Sequence, residues 1–353
     1  MTRYAPNWRL LAAIAVVGLS GLLASCRDDG TSVLGKTSNQ TGYRGTGMVQ
    51  IASKSATEAL KLKNVAPPPE DPADPDSKPA KEVYQNIQVL GDLTENELMR
   101  LMASMTTWVA PEEGCNFCHN PENLADDSLY TKKVARHMIE MVRSINSKWG
   151  NHVGTTGVTC YTCHRGKAVP EFVWFGNSGP KQAQGMARDR EGRGLASATV
   201  GETSLPYDPL TPLLAHPDDI RVVGKKALVS AYIPTTMQTE TTYGLMIHMS
   251  EALGVNCTFC HNTRSIASWP QSTPQRVTAW YGLRMVSEVN KQYLDVVAGL
   301  LPASHLGPEG DGPKVSCETC HQGVSKPLLG ATLAKSYAKE LGPITGPTPP
   351  VKP

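Results

Sequence analysis

The stretch Met246 to His261, Met-Ile-His-Met-Ser-Glu-Ala-Leu-Gly-Val-Asn-Cys-Thr-Phe-Cys-His, sets a sulfur-bearing helical segment directly before a C-x-x-C-H motif. The motif occurs four times: Cys115, Cys118 and His119; Cys160, Cys163 and His164; Cys257, Cys260 and His261; Cys317, Cys320 and His321. Two cysteines at this spacing each form a thioether to a haem vinyl group, and the following histidine turns its imidazole to the iron. The chain is therefore expected to hold four covalently bound haem c groups.

A single C-x-x-C-H is also compatible with a redox dithiol or half of a zinc site. Fourfold recurrence, with a histidine after every pair, is not what either alternative requires. Of nine cysteines the motifs use eight, so no pair remains for a structural disulfide and only Cys26 is left over. Cys26 follows Leu23-Ala24-Ser25 at the end of an apolar run from Leu10, with Arg3 and Arg9 before it. A charged head, an apolar middle and small residues before the cut describe an export signal over 1–25. Cys26 resembles a lipobox cysteine that takes a diacylglycerol and so provides a lipid anchor to a membrane. A buried thiol in an uncleaved signal anchor, or an unmodified exported cysteine, is the plainer alternative. The sixteen residues from Leu10 rise only about 24 Å as a helix, short of a hydrocarbon core of about 30 Å.

At 353 residues and 40% hydrophobic, the chain suits one large domain with a core made partly of cofactor. Only four Phe are present, a thin aromatic supply that four porphyrins would supplement. Net charge is +2, and Arg3 and Arg9 leave with the signal. Two propionates per haem bring the mature holoprotein to about −8 with ferrous iron, which argues against a nucleic-acid partner.

Residues 26–82, rich in Gly, Ser, Thr, Pro and Asp, read as a lipid-anchored arm or linker, either a tether or a surface wrap. Thr94-Glu95-Asn96-Glu97 is a capping box opening a helix with Leu98, Leu101, Met102, Met105 and Trp108 on one face. Val134, Met138, Met141, Val142, Ile145 and Trp149 repeat that spacing in a second helix. Residues 169–235, broken by Gly and Pro, form a long connection. Beyond it the pattern returns: Cys-x-Phe-Cys-His-Asn recurs at 115–120 and 257–262, and Met141-Val-Arg-Ser-Ile-Asn146 is echoed by Met285-Val-Ser-Glu-Val-Asn290. The expected fold is mainly α, a multihaem cytochrome c of two pseudo-repeated halves, each of two helix-plus-C-x-x-C-H units. The tetrahaem domain spans 83–327, with halves of about 83–168 and 236–327, and 328–353 reads as a Pro/Gly-rich tail outside it, disordered from Gly342.

A haem that passes electrons without binding small molecules needs a second axial ligand, usually Met or His. The pairs Met102 and Met105, Met138 and Met141, and Met246 and Met249 are candidates for the first three haems, one member binding and the other packing. Core packing is the ordinary role of a helical methionine, but each pair precedes a motif in the same order. At the fourth haem, the shared Met-Val-x-x-(Ile/Val)-Asn register sets Gly282 where Met138 stands. Of the five histidines outside the motifs, His137 and His248 sit beside methionines and His216 lies in a Pro-rich loop. His152 and His305 remain as candidates.

From about Leu90 to Pro327 these features resemble the tetrahaem cytochrome subunit of purple-bacterial photosynthetic reaction centres. The likeness rests on Cys26, the paired duplication, the Met-x-x-Met helices before the first and third motifs, and Ser272-Thr273-Pro274-Gln275-Arg276 opening the helix before the fourth. It implies Met102, Met138 and Met246 as axial ligands beside His119, His164 and His261, with His152 opposite His321, and it puts Arg276 near haem 3. It further implies an electron carrier on the periplasmic face of the photosynthetic membrane, with a haem array in the order one, two, four, three. Electrons would come from a soluble c-type cytochrome or a high-potential iron-sulfur protein. They would pass to the bacteriochlorophyll pair held by the reaction centre membrane subunits.

Two readings compete. A multihaem nitrite reductase needs an open iron position, which the fourth haem supplies only if His152 does not bind it. A bis-His quinol-oxidising cytochrome of respiration would leave the methionine pairs without a role.

Overall fold

The computed structural model describes residues 35–40, 49–177, 205–216, 220, 222 and 235–348. The expected export signal, 1–25, and Cys26 lie outside them, and no helix among the described residues is long and apolar enough to cross a membrane. The described chain is mainly helical, with two small two-stranded antiparallel sheets, β1 (Lys36–Gln40) with β2 (Val49–Ser53) and β3 (Val173–Trp174) with β4 (Lys314–Val315). The principal helices are α1 (Lys54–Lys63), α2 (Glu95–Val109), α3 (Tyr130–Lys148), α4 (Gly150–Val153), α5 (Cys160–His164), α6 (Thr236–Leu253), α7 (Pro274–Val289) and α8 (Cys317–His321).

Local chemistry accounts for the helix starts. Thr94 accepts from the Glu97 N–H, and the Glu97 carboxylate accepts from the Thr94 N–H, so two of the four unpaired donors at the start of α2 are satisfied reciprocally. Thr235 and Gln238 do the same for α6. Pro274 opens α7, where its missing N–H costs nothing. Leu98, Leu101 and Trp108 bury one face of α2 against Ile139 and Val142 of α3. A second core joins Leu245 of α6 and Met285, Val286 and Val289 of α7 to Leu210, Leu213 and Leu214 from the long connection.

The same contacts occur twice. The Asn146 side chain donates to the Val158 carbonyl at 3.1 Å and accepts from the Val158 N–H at 2.8 Å, two residues before Cys160. Asn290 donates to the Val315 carbonyl at 3.0 Å and accepts from the Val315 N–H at 2.9 Å, two residues before Cys317. Each spends its other amide N–H on a distant carbonyl, Leu341 for Asn146 and Leu214 for Asn290. Likewise Gly166 donates to the Trp108 carbonyl of α2 and Gly323 to the Ala252 carbonyl of α6, tying the helix before one motif to the turn after the next. Asn146 is fully buried. Replacing it by alanine leaves the Val158 N–H and two carbonyls without partners, at about 1–3 kcal/mol per orphaned group. Asn146→Ala is expected to lower unfolding stability by about 2–4 kcal/mol, read as a lower denaturant midpoint at unchanged haem content.

One segment differs from expectation. Residues 328–348, expected as a tail outside the domain, pack on the first core. Tyr337 is fully buried, stands edge-on to Trp108 at 4.8 Å and hydrogen-bonds Ser104 at 2.8 Å. Arg100 lies over the Tyr337 ring and pairs with Glu340 at 2.6 Å, both charged side chains under a tenth exposed. Leu333, Tyr337 and Leu341 recur every four residues and are all buried, a spacing that the surrounding Pro and Gly obscure. The arm is more than a tether. Ser53 caps α1, Leu60 packs on Gly323, and the fully buried Asn64 donates to the Gln322 carbonyl at 3.3 Å.

Candidate haem-attachment sites

The four motifs take two local forms. The second and fourth are the five-residue helices α5 and α8, opened by Thr159 with Thr162 and by Ser316 with Thr319. Each ends on a left-handed residue, Arg165 at φ 50° or Gln322 at φ 48°, followed by a positive-φ glycine. This sharp reversal carries the chain back so that the histidine Nδ1 meets the carbonyl three residues on: His164 to Lys167 at 2.9 Å, His321 to Val324 at 3.0 Å. The first and third motifs are tighter turns, Gly114–Phe117 and Cys257–Phe259. There the partner carbonyl is five residues on: His119 to Leu124 at 3.1 Å, His261 to Ile266 at 2.9 Å.

These four contacts decide the tautomers. A carbonyl oxygen only accepts, so in every motif Nδ1 carries the proton and Nε2 keeps its lone pair. That is the arrangement a metal-bound histidine needs, with the second nitrogen fixing ring orientation and raising ligand basicity. Burial pushes the Cys118 and Cys260 thiols up to about 11 and those of Cys160 and Cys317 up to about 12. The neighbouring Cys320 sulfur and burial raise Cys163 as well. Among the described residues no three His, Cys, Asp or Glu side chains converge on a metal-ion position, and the motif cysteines are free. A zinc site has no support in this geometry.

The second and fourth motifs meet. Arg165 donates to the Cys320 carbonyl at 3.1 Å and to the Lys63 carbonyl at 3.2 Å, so α5, α8 and the end of α1 share one cation. Nearby, α4 packs on α7. His152 donates through Nδ1 to the Thr278 carbonyl at 3.0 Å, and its ring stands 6.1 Å from that of His321, centroid to centroid. Two metal–imidazole bonds of about 2 Å each, with the two ring radii, span that separation. Gly282 makes room for the ring, since a Cβ there would lie 2.5 Å from His152 Cε1. His321 is pushed down to about 4, by burial first and by His152 next. Burial also lowers His152, His164 and His261.

His305 is exposed and faces Tyr130, with Nδ1 3.3 Å from the phenol oxygen, so it is not brought to His321. His216 is exposed, as its loop position suggested. Met102, Met105, Met138, Met141, Met246 and Met249 are all half-buried at the margins of the two cores. Thr106 and Ser250 hydroxyls donate to the Met102 and Met246 carbonyls at 2.9 and 3.0 Å, so these two methionines share a backbone environment.

Arg276 reaches back over the third motif. Its guanidinium donates to the Ile266 and Ser268 carbonyls at 3.1 Å and to Ser272 Oγ at 2.7 Å, and lies over the Trp269 ring at 4.1 Å. The Ile266 carbonyl is also the acceptor for His261. Lys132, which the sequence reading passed over, does the equivalent at the first motif: its ammonium donates to Leu124 O at 2.9 Å, the acceptor for His119. The signal was present in the Met-Val-x-x-(Ile/Val)-Asn register, which sets Lys132 opposite Arg276.

A family model described as the photosynthetic reaction centre cytochrome C subunit matches residues 34–341, which includes most of the arm and part of the C-terminal segment. The chain is 46% identical over 333 residues to the photosynthetic reaction center cytochrome c subunit of Thermochromatium tepidum, covering 94% of this chain and 80% of that one. It is 45% identical over 330 residues to the subunit of Rubrivivax gelatinosus, covering 93% and 88%. Against the subunit of Roseobacter denitrificans, identity is 40% over 321 residues, covering 85% and 84%.

Proposed function

Since this chain belongs to the photosynthetic reaction centre cytochrome c subunit family, we propose that it re-reduces a photo-oxidised bacteriochlorophyll pair. The electrons come from a soluble periplasmic donor, a c-type cytochrome or a high-potential iron-sulfur protein, and pass through four haems. The family makes the chain a photosynthetic electron-transport protein carrying covalent haem c. The count of four rests on the four motifs, and the observation that carries it is the shared histidine geometry, in which every Nδ1 donates to a carbonyl and every Nε2 is left for iron.

Each haem, when bound, supplies a one-electron couple whose potential follows its axial ligands, burial and nearby charge. The chain's own groups hold and tune it. The eight motif cysteines anchor it. His119, His164, His261 and His321 orient beneath it, and we assign Met102, Met138 and Met246 as the opposing ligands of the first three. Fourth-site assignment goes to His152, supported by its ring facing His321 at 6.1 Å and by the space that Gly282 leaves. With both positions filled, no coordination site is left for substrate, which weighs against the nitrite-reductase reading. The paired contacts of Asn146 and Asn290 support two pseudo-repeated halves. Contact between α5 and α8 supports a site order of one, two, four, three. Arg276, hydrogen-bonded to the acceptor of His261, favours the ferrous state at haem 3 and so raises its potential. Cys26, as a lipidated first residue, would keep the protein at the periplasmic face beside the reaction centre membrane subunits.

A single-turnover flash on membranes tests this reading. Haem oxidation is expected to follow the pulse without a diffusional delay and to vanish when the gene for this chain is deleted. Haems that stay reduced after the flash would turn the assignment toward a respiratory, quinol-oxidising cytochrome.

A further inference from the structure

We infer that Lys132 and Asp127 form a charge pair that tunes the potential of the first haem, Lys132 acting as a positioning residue on His119 through the shared Leu124 carbonyl. The inference rests on the assignment of His119 as an iron ligand. Lys132 is a buried lysine, 8% exposed, on α3. Its ammonium donates to the Leu124 carbonyl at 2.9 Å and the Asp126 carbonyl at 2.8 Å, and pairs with Asp127 at 3.1 Å.

A buried ammonium acts on His119 in two ways with one sign. Its positive charge in a low-dielectric setting favours the less positive, ferrous iron. It also draws on the lone pairs of the Leu124 carbonyl that accepts the His119 Nδ1 proton. That weakens the acceptor, lowers the basicity of the imidazole and again favours ferrous iron. Asp127 opposes both effects. Arg136 grips its carboxylate in a fork, with both N–H···O distances at 2.9 Å, and Asn86 donates to it at 3.0 Å. Arg136 above all, with Asn86 and Lys132, holds the Asp127 carboxyl well below the usual carboxylate range. It therefore stands as a fixed negative charge beside Lys132.

The contrast with the third motif sharpens the point. Arg276 makes the corresponding bond to the Ile266 carbonyl, yet its partners are two carbonyls, a hydroxyl and an indole ring, with no carboxylate among the described residues. One register position thus carries an offset cation in the first half and an unopposed cation in the second. At the second and fourth motifs, no side-chain cation donates to the acceptors of the histidine, the Lys167 and Val324 carbonyls, among the described residues.

The test is a redox titration of the membrane-bound complex, following each resolved haem component. Lys132→Met is expected to lower the midpoint of one component and Lys132→Arg to keep it near its original value. Asp127→Asn is expected to raise that same component, with the other three unmoved. Loss of packing alone would not move one haem in opposite directions. Because Lys132 also ties down the loop carrying Leu124 and Asp126, Lys132→Met can fail to assemble, and Asp127→Asn then decides alone by raising one component or none. Equal-sign shifts from Lys132→Met and Asp127→Asn, or four unmoved components in Asp127→Asn, would overturn the charge pair. An unmodified protein with fewer than four titrating haems would instead overturn the four-haem reading, and this inference with it.

Discussion

Replacing His152 by alanine is expected to convert the fourth haem from a low-spin to a high-spin ferric centre, and to let its ferrous form bind carbon monoxide. The variant removes the side chain whose ring stands 6.1 Å from that of His321. Gly282, which packs against that ring, has no side chain to offer in its place. One of four haems should therefore change its spectrum, while the other three retain theirs and all four stay covalently attached through their cysteines. Added imidazole should restore the low-spin signal, because the vacated space has the shape of that ring. His305→Ala serves as the counterpart. Its ring sits against Tyr130 on the surface, so no spin-state change is expected. If His152→Ala left every haem low-spin, or His305→Ala produced the high-spin signal, the fourth-site assignment would fall.

Residues whose role is local were the ones that could be read from the chain. The C-x-x-C-H spacing, the Thr94 capping box and the apolar face of α2 each depend on atoms within a few residues. The matching asparagines, Asn146 and Asn290, were visible as an echo, although their hydrogen bonds to the residue two before each following motif were not. What resisted reading depends on packing between distant segments. The choice between His152 and His305 turns on α4 crossing to α7. Residues 328–348 were hidden because Pro and Gly flank 331–341 on both sides and continue to the end of the chain, which masked the four-residue spacing of Leu333, Tyr337 and Leu341. Leu60 and Asn64 likewise look like residues of a polar arm until Gly323 and Gln322 are brought to them. Lys132 was passed over for another reason, since a lysine on an amphipathic helix is ordinarily solvated. Its burial follows from the Leu124 to Asp127 loop folding over it, a shape set by Asx-type hydrogen bonds that the side-chain oxygens of Asn120, Asn123 and Asp126 accept from backbone N–H groups two residues on.

The pairing of Gly282 with Met138 leads to the second large effect, in the double variant His152→Ala with Gly282→Met. A Cβ at 282 would come within 2.5 Å of the His152 ring, so methionine cannot be accommodated while that ring is in place. Gly282→Met alone is expected to push His152 off its Thr278 hydrogen bond and to give a partly high-spin fourth haem. Once the ring is removed, an unbranched thioether side chain projecting from α7 has room to reach the iron, as Met138 is assigned to do from α3. The double variant is then expected to return to low spin and to lose the carbon monoxide binding gained by His152→Ala. It should also gain a methionine-to-iron charge-transfer band. Its fourth-haem midpoint should rise above the original bis-His value by on the order of 0.1 V, a fraction of the roughly 0.8 V range commanded by axial ligands. The sign follows from donor strength: a second imidazole stabilises ferric iron more than a thioether does, so the exchange favours the ferrous state. A double variant that stays high-spin and still binds carbon monoxide would mean that position 282 does not face the iron as position 138 does. The two halves would then share a sequence register without sharing a metal geometry.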